Sequence, residues 1–223
     1  MDATGVININ NDLTICKCLF TMQFMRPEEF LYLPMVLLDN RVMEYQFCMQ
    51  NIQHPKGHYT EFGVYEGKSI NYLASLNKKV TFHGFDSFEG LPEQWFMGHK
   101  VIEKGHFAVS ELPKVVPNVV LYEGWFENTI PTWKKDHTKH ISFMNIDCDL
   151  YKSTKTVLEL LNDQIVSGTL IRFDDLLPSP ISPYPKWEEG EWKALIEWCE
   201  KYGRKVIPMA RSWKQGCIMK VVT

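Results

Sequence analysis

The chain has 223 residues, of which 45% are hydrophobic and 23% charged, and a net charge of −3. This length suits one α/β domain with a short extension and is too small for two full domains. The composition is that of a globular protein with a proper core, and the lack of a basic surplus argues against a nucleic-acid partner. The first residues lack a basic segment followed by an apolar one, and Pro34 interrupts the longest apolar run, LYLPMVLL. We therefore expect a cytoplasmic protein with neither a secretory signal nor a membrane span.

The N-terminal quarter differs in pattern from the rest of the chain. Residues 1–18 are polar and aperiodic, and apolar residues at three- and four-residue spacing over 20–53 predict two helices with a break near Pro34. We interpret residues 1–55 as an arm with helices, and residues 56–223 as a cofactor-binding domain. The N-terminal helices carry several large apolar side chains, and they either cover an acceptor or form a homodimer contact; these side chains are Met22, Met25, Phe30 and Tyr32.

From residue 58 onward, β-rich runs alternate with amphipathic segments. The first five predicted strands are 58–64, 79–87, 118–125, 140–149 and 168–176. Helices are predicted after the first, third, fourth and fifth of them, and a short helix within the irregular stretch 88–116. Two last strands, KVIPMARS and GCIMKVVT, are joined by a short turn. This order predicts a Rossmann-like α/β fold, with a seven-stranded, mostly parallel sheet that ends in an antiparallel hairpin.

Acidic residues end four of the first five predicted strands. Ligands of open α/β sheets bind at the carboxyl ends of the strands, so a row of carboxylates there predicts an acidic cleft. The residues at these ends are Glu61 to Gly63, Asp86 and Ser87, Gly124 and Trp125, Asp147 to Asp149, and Asp174 with Asp175.

The segment GVYEGKS, residues 63–69, allows two interpretations. It is one residue shorter than the phosphate loop of nucleotide-triphosphate enzymes, so a nucleotide-binding phosphotransferase is one alternative. However, Glu61 and Glu66 flank the segment, and Asp86 follows about 25 residues later, near the spacing at which an acid meets ribose hydroxyls. S-adenosylmethionine has an ammonium group, a sulfonium and a ribose diol but no phosphate, and it suits such a cleft. Glu61 would hold the ammonium group.

Six motifs in order resemble the macrocin O-methyltransferase family, whose members are class I enzymes that use S-adenosylmethionine to methylate sugar hydroxyls. The motifs are TEFGVYEGKSINYLA, HGFDSFEGLPE, YEGWFENTIP, NIDCDLYKSTKTVLELL, GTLIRFDDL and GEWKALIEW. The resemblance covers about residues 58–200, and it implies a methyltransferase with a glycan or glycosylated small molecule as acceptor.

By position, the resemblance also implies the roles of individual residues. Asp86 would bind the ribose hydroxyls, Ser87 would lie beside the adenosine, and Asp147, Asp174 and Asp175 would hold Mg²⁺. The residues that would border the methionine part are Glu61, Gly63, Val64, Tyr65, Gly67 and Ser69, and those against the adenine are Gly124 and Trp125.

The acceptor side is less like the family. Leu176 and Leu177 follow the acidic pair, where the family usually has Tyr and often another acid, and the loop 177–186 is rich in proline. A sugar hydroxyl needs a base or a metal to lose its proton, and Asp149 is our candidate base beside Asp147. Trp187 is a candidate for stacking on a sugar ring. Two alternatives stay open: the aspartates cap helices only, or the protein keeps the fold as a non-catalytic interaction protein.

Overall fold

The computed structural model describes residues 27–98, 100–179 and 184–223. Met22 and Met25 lie outside these residues. The helices are α1 (Pro27–Phe30), α2 (Arg41–Gln50), α3 (Lys68–Leu76), α4 (Phe126–Lys134), α5 (Tyr151–Leu160) and α6 (Glu191–Tyr202), with a 3₁₀ turn at Trp187–Glu189. The strands are β1 (Val36–Leu38), β2 (His58–Phe62), β3 (Phe82–Asp86), β4 (Trp95–Phe96), β5 (Val101–Ile102), β6 (Val119–Glu123), β7 (Ile141–Ile146), β8 (Leu170–Phe173), β9 (Val206–Ser212) and β10 (Cys217–Val221).

Eight strands form one twisted sheet in the order β1-β9-β10-β8-β7-β2-β3-β6. The pairs among β6, β3, β2, β7 and β8 are parallel, whereas β10 runs antiparallel to both β8 and β9. The predicted mostly parallel sheet with a terminal hairpin is therefore confirmed. Strand order reverses between β2 and β7, and this is the point at which an open α/β sheet binds its ligand.

Two local predictions were wrong. Residues 36–38 form β1, which pairs in parallel with β9 and adds an eighth strand, although we predicted helix there. Pro34 disfavours helix for the residue before it, and the free edge of β9 offers hydrogen bonds to an extended segment. The described part of 88–116 contains the two-stranded ribbon β4–β5 and no helix.

The sheet is covered on both faces by apolar layers. The layer under α4, α5 and α6 includes Phe85 and Trp198, and the layer under α2 and α3 includes Phe82 and Ile70, all nearly or fully buried. Phe82 and Phe85 of the same strand therefore serve opposite layers, as the alternation of side chains along a strand requires. No helix in the described part of the chain is long and apolar enough to cross a bilayer.

Gly63 follows β2 and lets the chain turn toward the binding edge of the sheet. Its φ is +89°, and a Cβ atom at this position would lie 1.9 Å from the backbone oxygen of Asp147. A side chain at this position would thus be unfavourable for two reasons: the left-handed backbone conformation, and a collision with the residue that directly follows β7. The close approach of two strand ends depends on this glycine.

We expect Gly63→Ala to lower the free energy of unfolding by about 3 kcal/mol or more, because conformational strain and a steric clash add. The matched control is Gly203→Ala, since Gly203 has φ +63° but open space around its Cα. That variant should lose about 1–2 kcal/mol. Urea unfolding of both variants measures the difference, and equal losses would show that the contact with Asp147 relaxes without cost.

A cluster of histidines lies at the opposite edge of the sheet, where β2 and β3 begin. The rings of His58, His83 and His137 are 4.8–5.5 Å apart, and the ring of Trp133 stacks on that of His137 at 4.7 Å. Burial lowers the pKa of His58 to about 4 and that of His83 to about 3, with His137 adding to both shifts. The Nδ1 atom of His83 lies 3.2 Å from the indole nitrogen of Trp133, which requires the neutral imidazole as acceptor.

These shifts make the histidines a source of acid sensitivity. Their folded pKa values lie below the unfolded value of about 6.5, so the unfolded chain binds more protons below pH 6.5 and stability falls as the pH decreases toward 4. Between pH 7.5 and 5.5, His83 should contribute a loss of about 1 kcal/mol.

The contribution is measured as a difference between variants, because carboxyl groups also titrate in this range. In His83→Gln, the loss of stability from pH 7.5 to 5.5 should be smaller than in the wild type by about 1 kcal/mol. His106→Gln, which changes an exposed loop histidine, should leave the wild-type loss unchanged. Urea unfolding at the two pH values tests this, and identical pH dependence in His83→Gln and the wild type would contradict it.

Candidate functional site

A cavity of about 1160 Å³ opens at the carboxyl ends of the strands, beside the reversal point between β2 and β7. Its wall combines the glycine turn after β2, the ends of β3, β7 and β8, and the start of α2. Seven of the predicted cofactor residues lie on this wall: Gly63, Val64, Tyr65, Ser69, Asp86, Ser87 and Trp125. The four predicted aspartates, Asp147, Asp149, Asp174 and Asp175, lie on it as well.

Asp86 organises the glycine turn. Its Oδ2 atom accepts hydrogen bonds from the backbone N–H groups of Val64 and Tyr65, both at 2.8 Å, and its Oδ1 atom accepts from the N–H of Phe88 at 2.8 Å. Tyr65 has a φ of +50°, which is uncommon for a residue with a side chain. The carboxylate therefore holds the turn in an unusual shape, and its Oδ1 atom keeps one acceptor position for a ligand.

Three predicted cofactor residues lie behind the described wall of the cavity. Glu61 is fully buried, and its carboxylate accepts hydrogen bonds from Ser69 Oγ at 2.6 Å and from Asn145 Nδ2 at 3.0 Å. Burial raises the pKa of Glu61 to about 8. Gly67 begins α3 in the left-handed conformation, and Gly124 follows β6 with φ +132°. Glu61 thus reaches the cavity through the hydroxyl group of Ser69.

Lys68 does not have the geometry of a phosphate-loop lysine. Its side chain is 86% exposed, and its ammonium group pairs with the carboxylate of Glu66 next to it. A phosphate loop needs this lysine to point back over the backbone N–H groups toward the phosphates. The structure gives no support to the phosphotransferase alternative.

Carboxylates from β7 and β8 meet in the cavity. Oxygen atoms of Asp147, Asp149 and Asp175 lie within 4.8 Å of one another, which is a spacing that one cation can bridge. Burial and the neighbouring Asp174 raise the pKa of Asp147 to about 7, and burial raises the pKa of Asp149 and Asp175 as well. Asp149 has φ +61°, and such strain in a residue with a side chain is common at ligand sites.

Asp174 has a different environment from the other three aspartates. Arg172 donates to its Oδ1 atom, and Arg41 pairs with its Oδ2 atom. Burial by itself would raise the pKa of Asp174, but these two guanidinium groups outweigh burial and hold the pKa below its usual range. The structure therefore brings together Asp147, Asp149 and Asp175. Asp174 borders this group through a side-chain hydrogen bond with Asp147 and also pairs with the two arginines.

Two residues of the site were missed from the sequence. Glu191, the first residue of α6, is fully buried; its Oε2 atom accepts the N–H of Asp175 at 3.0 Å, and its Oε1 atom has no partner among the described residues. Arg41 comes from α2 and lies on the cavity wall. Glu191 belongs to the motif GEWKALIEW, and this motif is the only feature of the sequence that could have identified it as a site residue. No sequence pattern identified Arg41.

Trp187 was predicted to stack on a sugar, and this prediction was wrong. Its ring is buried and packs against Trp192 at 5.3 Å, away from the described wall of the cavity. Trp95 lies on the wall instead, and its indole nitrogen is 3.3 Å from the hydroxyl oxygen of Tyr184. Leu176 and Leu177 are fully buried, so the chain after the acidic pair turns into the core and offers no further base.

Relatives of known structure show the same fold. A calicheamicin methyltransferase, CalS11, matches with a TM-score of 0.61 and 22% identity over 88% of this chain and 81% of that chain. The methyltransferase MycE from the mycinamycin biosynthetic pathway, crystallised with Mg and S-adenosylhomocysteine (SAH), matches with a TM-score of 0.53 and 12% identity over 81% of this chain and 49% of that chain. These TM-scores show a shared class I methyltransferase fold, and at identities of 22% and 12% the similarity extends to the fold alone.

One curated relative is similar in sequence, and a family model matches more than half of the chain. The relative is the 8-demethyl-8-(2,3-dimethoxy-alpha-L-rhamnosyl)-tetracenomycin-C 4'-O-methyltransferase of Streptomyces olivaceus, which is 27% identical over 60% of this chain. The match spans 59% of the length of that relative. Residues 33–182, which are more than half of the chain, match the model of the macrocin O-methyltransferase family. This protein is therefore a member of the macrocin O-methyltransferase (TylF) family.

Proposed function

We propose that the protein is an S-adenosylmethionine-dependent O-methyltransferase that acts on a hydroxyl group of a sugar, in a glycan or a glycosylated small molecule, with the help of a divalent cation such as Mg²⁺. One observation carries the proposal: a single cavity connects the turn organised by Asp86 with the carboxylates of Asp147, Asp149 and Asp175. A methyl donor and an acceptor hydroxyl can therefore lie in contact within one cavity. Such alignment supplies much of the catalysis in an in-line displacement.

The glycine turn and Asp86 would bind the nucleoside half of S-adenosylmethionine. The Oδ1 atom of Asp86 has one acceptor position left for a ribose hydroxyl, and Ser87 and Trp125 lie on the wall beside it. Ser69, which Glu61 holds from behind, would bind the methionine end together with the backbone of Gly63 and Val64. Gly67 and Gly124 would contribute by shaping the turns rather than by touching the ligand.

The aspartates fit a hard cation. Mg²⁺ binds oxygen ligands and usually keeps several waters, so three converging carboxylates are a suitable donor set. The Oε1 atom of fully buried Glu191 has no partner among the described residues, so this corner keeps acceptor capacity for a ligand or its water. Asp174 would join this set only in competition with the two arginines on its oxygens. A bound Mg²⁺ would supply positive charge that makes the acceptor hydroxyl easier to deprotonate.

Asp149 is the proposed general base. As the hydroxyl oxygen bonds to the methyl carbon, the carbon–sulfur bond breaks and its electron pair returns to sulfur, while the hydroxyl proton passes to the Asp149 carboxylate. Asp149 lies on the cavity wall next to Asp147 and Asp175. A carboxylate has two oxygens with about four acceptor positions, so Asp149 can take this proton on an oxygen that is not directed at the cation.

The acceptor half of the cavity is partly apolar. Trp95, Met97 and Phe107 lie on its wall, and the ring of Phe107 is 5.4 Å from that of Tyr65. Aromatic faces bind the C–H surfaces of sugars while nearby polar groups orient the hydroxyls. The rhamnosyl methyltransferase from Streptomyces olivaceus is in keeping with a deoxysugar as the acceptor.

In this proposal, residues 56–223 form the cofactor-binding domain, and residues 1–55 form a segment that covers its site. Arg41, Val42 and Tyr45 of α2 lie on the cavity wall, and Phe30 packs edge-on against Trp192 with ring centroids 4.8 Å apart. These contacts favour a segment that covers the site over one that serves only as a dimer contact. A cytoplasmic location and a homodimer stay predictions from the sequence.

The first experiment is calorimetric titration with SAH, with and without Mg²⁺, and with ATP as a control. We expect SAH to bind and ATP not to bind. Asp86→Asn should weaken SAH binding roughly 10–100-fold, because it replaces a charge-assisted hydrogen bond to the ribose. Binding of ATP alone would contradict the proposal.

The matched control for this variant is Glu123→Gln. Glu123 is the exposed last residue of β6 and is paired in register with Asp86, so it is a neighbouring strand-end acid away from the described wall of the cavity. Its SAH affinity should equal that of the wild type. Once SAH binds, sugar acceptors are tested by release of SAH from S-adenosylmethionine, with rhamnosides first.

The metal site is tested by counting bound Mn²⁺ with electron paramagnetic resonance. We expect about one Mn²⁺ per chain, displaced by Mg²⁺, and at least a tenfold loss of affinity in Asp175→Asn, because one of three carboxylate ligands loses its charge. Asp163→Asn, which changes an aspartate whose side chain is 68% exposed, is the control and should bind Mn²⁺ normally. Wild-type affinity in Asp175→Asn would exclude Asp175 from the site.

A further inference from the structure

Arg41 stands apart from the motifs of the fold and yet reaches the centre of the site. It is the first residue of α2, its side chain is 43% exposed, and it lies on the cavity wall. Its guanidinium group pairs with Asp174 Oδ2, and its second terminal nitrogen is 3.7 Å from Asp147 Oδ2. A cation from the N-terminal segment thus sits between the ends of β7 and β8.

The position of Arg41 divides the four aspartates into two groups. Asp174 has an arginine on each oxygen, Arg172 on Oδ1 and Arg41 on Oδ2, so a metal ion has to compete with both guanidinium groups for this carboxylate. The other group, Asp147, Asp149 and Asp175, has oxygen atoms within 4.8 Å of one another and no arginine on Asp149 or Asp175 among the described contacts. Of that group, only Asp147 lies near Arg41.

From this geometry we infer that Arg41 is a built-in counter-cation, which competes with a divalent cation for Asp174 and weakens the binding of that cation by the other three aspartates. The inference rests on the metal-assisted part of the proposed function. Arg41 acts here through the carboxylates, so it is a positioning residue rather than a catalytic one. An affinity limited in this way would let the metal and the acceptor exchange between turnovers.

The expected size of the effect follows from Coulomb's law. A unit charge a few ångströms beyond Asp147 would be about 5–6 Å from a divalent cation bound there. Since the Arg41 side chain is 43% exposed, we use the dielectric of bulk water, at which this repulsion corresponds to roughly tenfold in affinity. Removal of Arg41 also frees one oxygen of Asp174 as a fourth carboxylate ligand. Both changes act in the same direction, so loss of the arginine should tighten metal binding.

The test measures Mn²⁺ affinity by electron paramagnetic resonance in the full-length protein, with Mg²⁺ as competitor. Arg41→Gln should bind Mn²⁺ about tenfold more tightly than the wild type. Arg41→Lys keeps the positive charge and should stay close to the wild-type affinity. Lys152→Gln is the matched control, because Lys152 lies on the same cavity wall but is 72% exposed and paired with Glu93. Its affinity should change less than twofold, since solvent screens exposed charges.

Each outcome bears on the inference. Tighter binding in Arg41→Gln alone supports it, and equal or weaker binding overturns it while the metal site itself stands. If neither the wild type nor Arg41→Gln binds Mn²⁺, the metal site and the inference both fall. SAH titration of every variant shows whether the cofactor half is folded, and failure of SAH to bind the wild type would instead contradict the methyltransferase proposal.

Discussion

A buried guanidinium group connects the elements on which the site depends. Arg172 in β8 is 1% exposed, and it donates to Glu44 of α2 at 2.6 Å, to Asn145 Oδ1 of β7 at 2.8 Å and to Asp174. Asn145 in turn donates to Glu61 of β2 at 3.0 Å. The last link is from Ser69 Oγ of α3 to Glu61 at 2.6 Å. One chain of polar contacts therefore crosses three neighbouring strands and ends at a residue of the cavity wall.

The polar chain inside the sheet explains why the N-terminal segment belongs to the site. Removal of one partner from a buried ion pair destabilises the folded protein by roughly 3–5 kcal/mol. The pair of Arg172 with Glu44 therefore holds α2, which carries Glu44, against the sheet. The ring of Tyr45 lies 4.9 Å from the Arg172 guanidinium and adds a cation–π contact. Once α2 is held there, Arg41 reaches Asp174 and Asp147. The same arrangement that satisfies a buried arginine thus places a second arginine among the carboxylates.

The strand ends can gather so many acids only because each acid has compensation of a different kind. Asp86 accepts three backbone N–H groups, and Asp174 accepts from two arginines. Asp149 and Asp175 have little of either, and burial raises the pKa of both. Uncompensated carboxylates in a cavity are expensive for the folded chain, and such cost is usual where a ligand or a proton completes the site. The binding of a nucleoside, the binding of a cation and the acceptance of a proton are thus assigned to different strand ends.

Periodicity and strand-end chemistry were sufficient to predict much of this molecule. The alternation of β-rich and amphipathic segments determined the sheet and its terminal hairpin, because residue spacing reports which face of each element is buried. The row of acids determined where the cavity lies, since parallel strands bring their carboxyl ends to one edge. Tertiary structure decided what local pattern does not contain. Val36–Leu38 became a strand because β9 had a free edge, Trp187 was buried by Trp192, and Asp174 was paired with Arg41 and Arg172. These outcomes depend on which residues far apart in the chain meet, and a single sequence carries no direct record of such contacts.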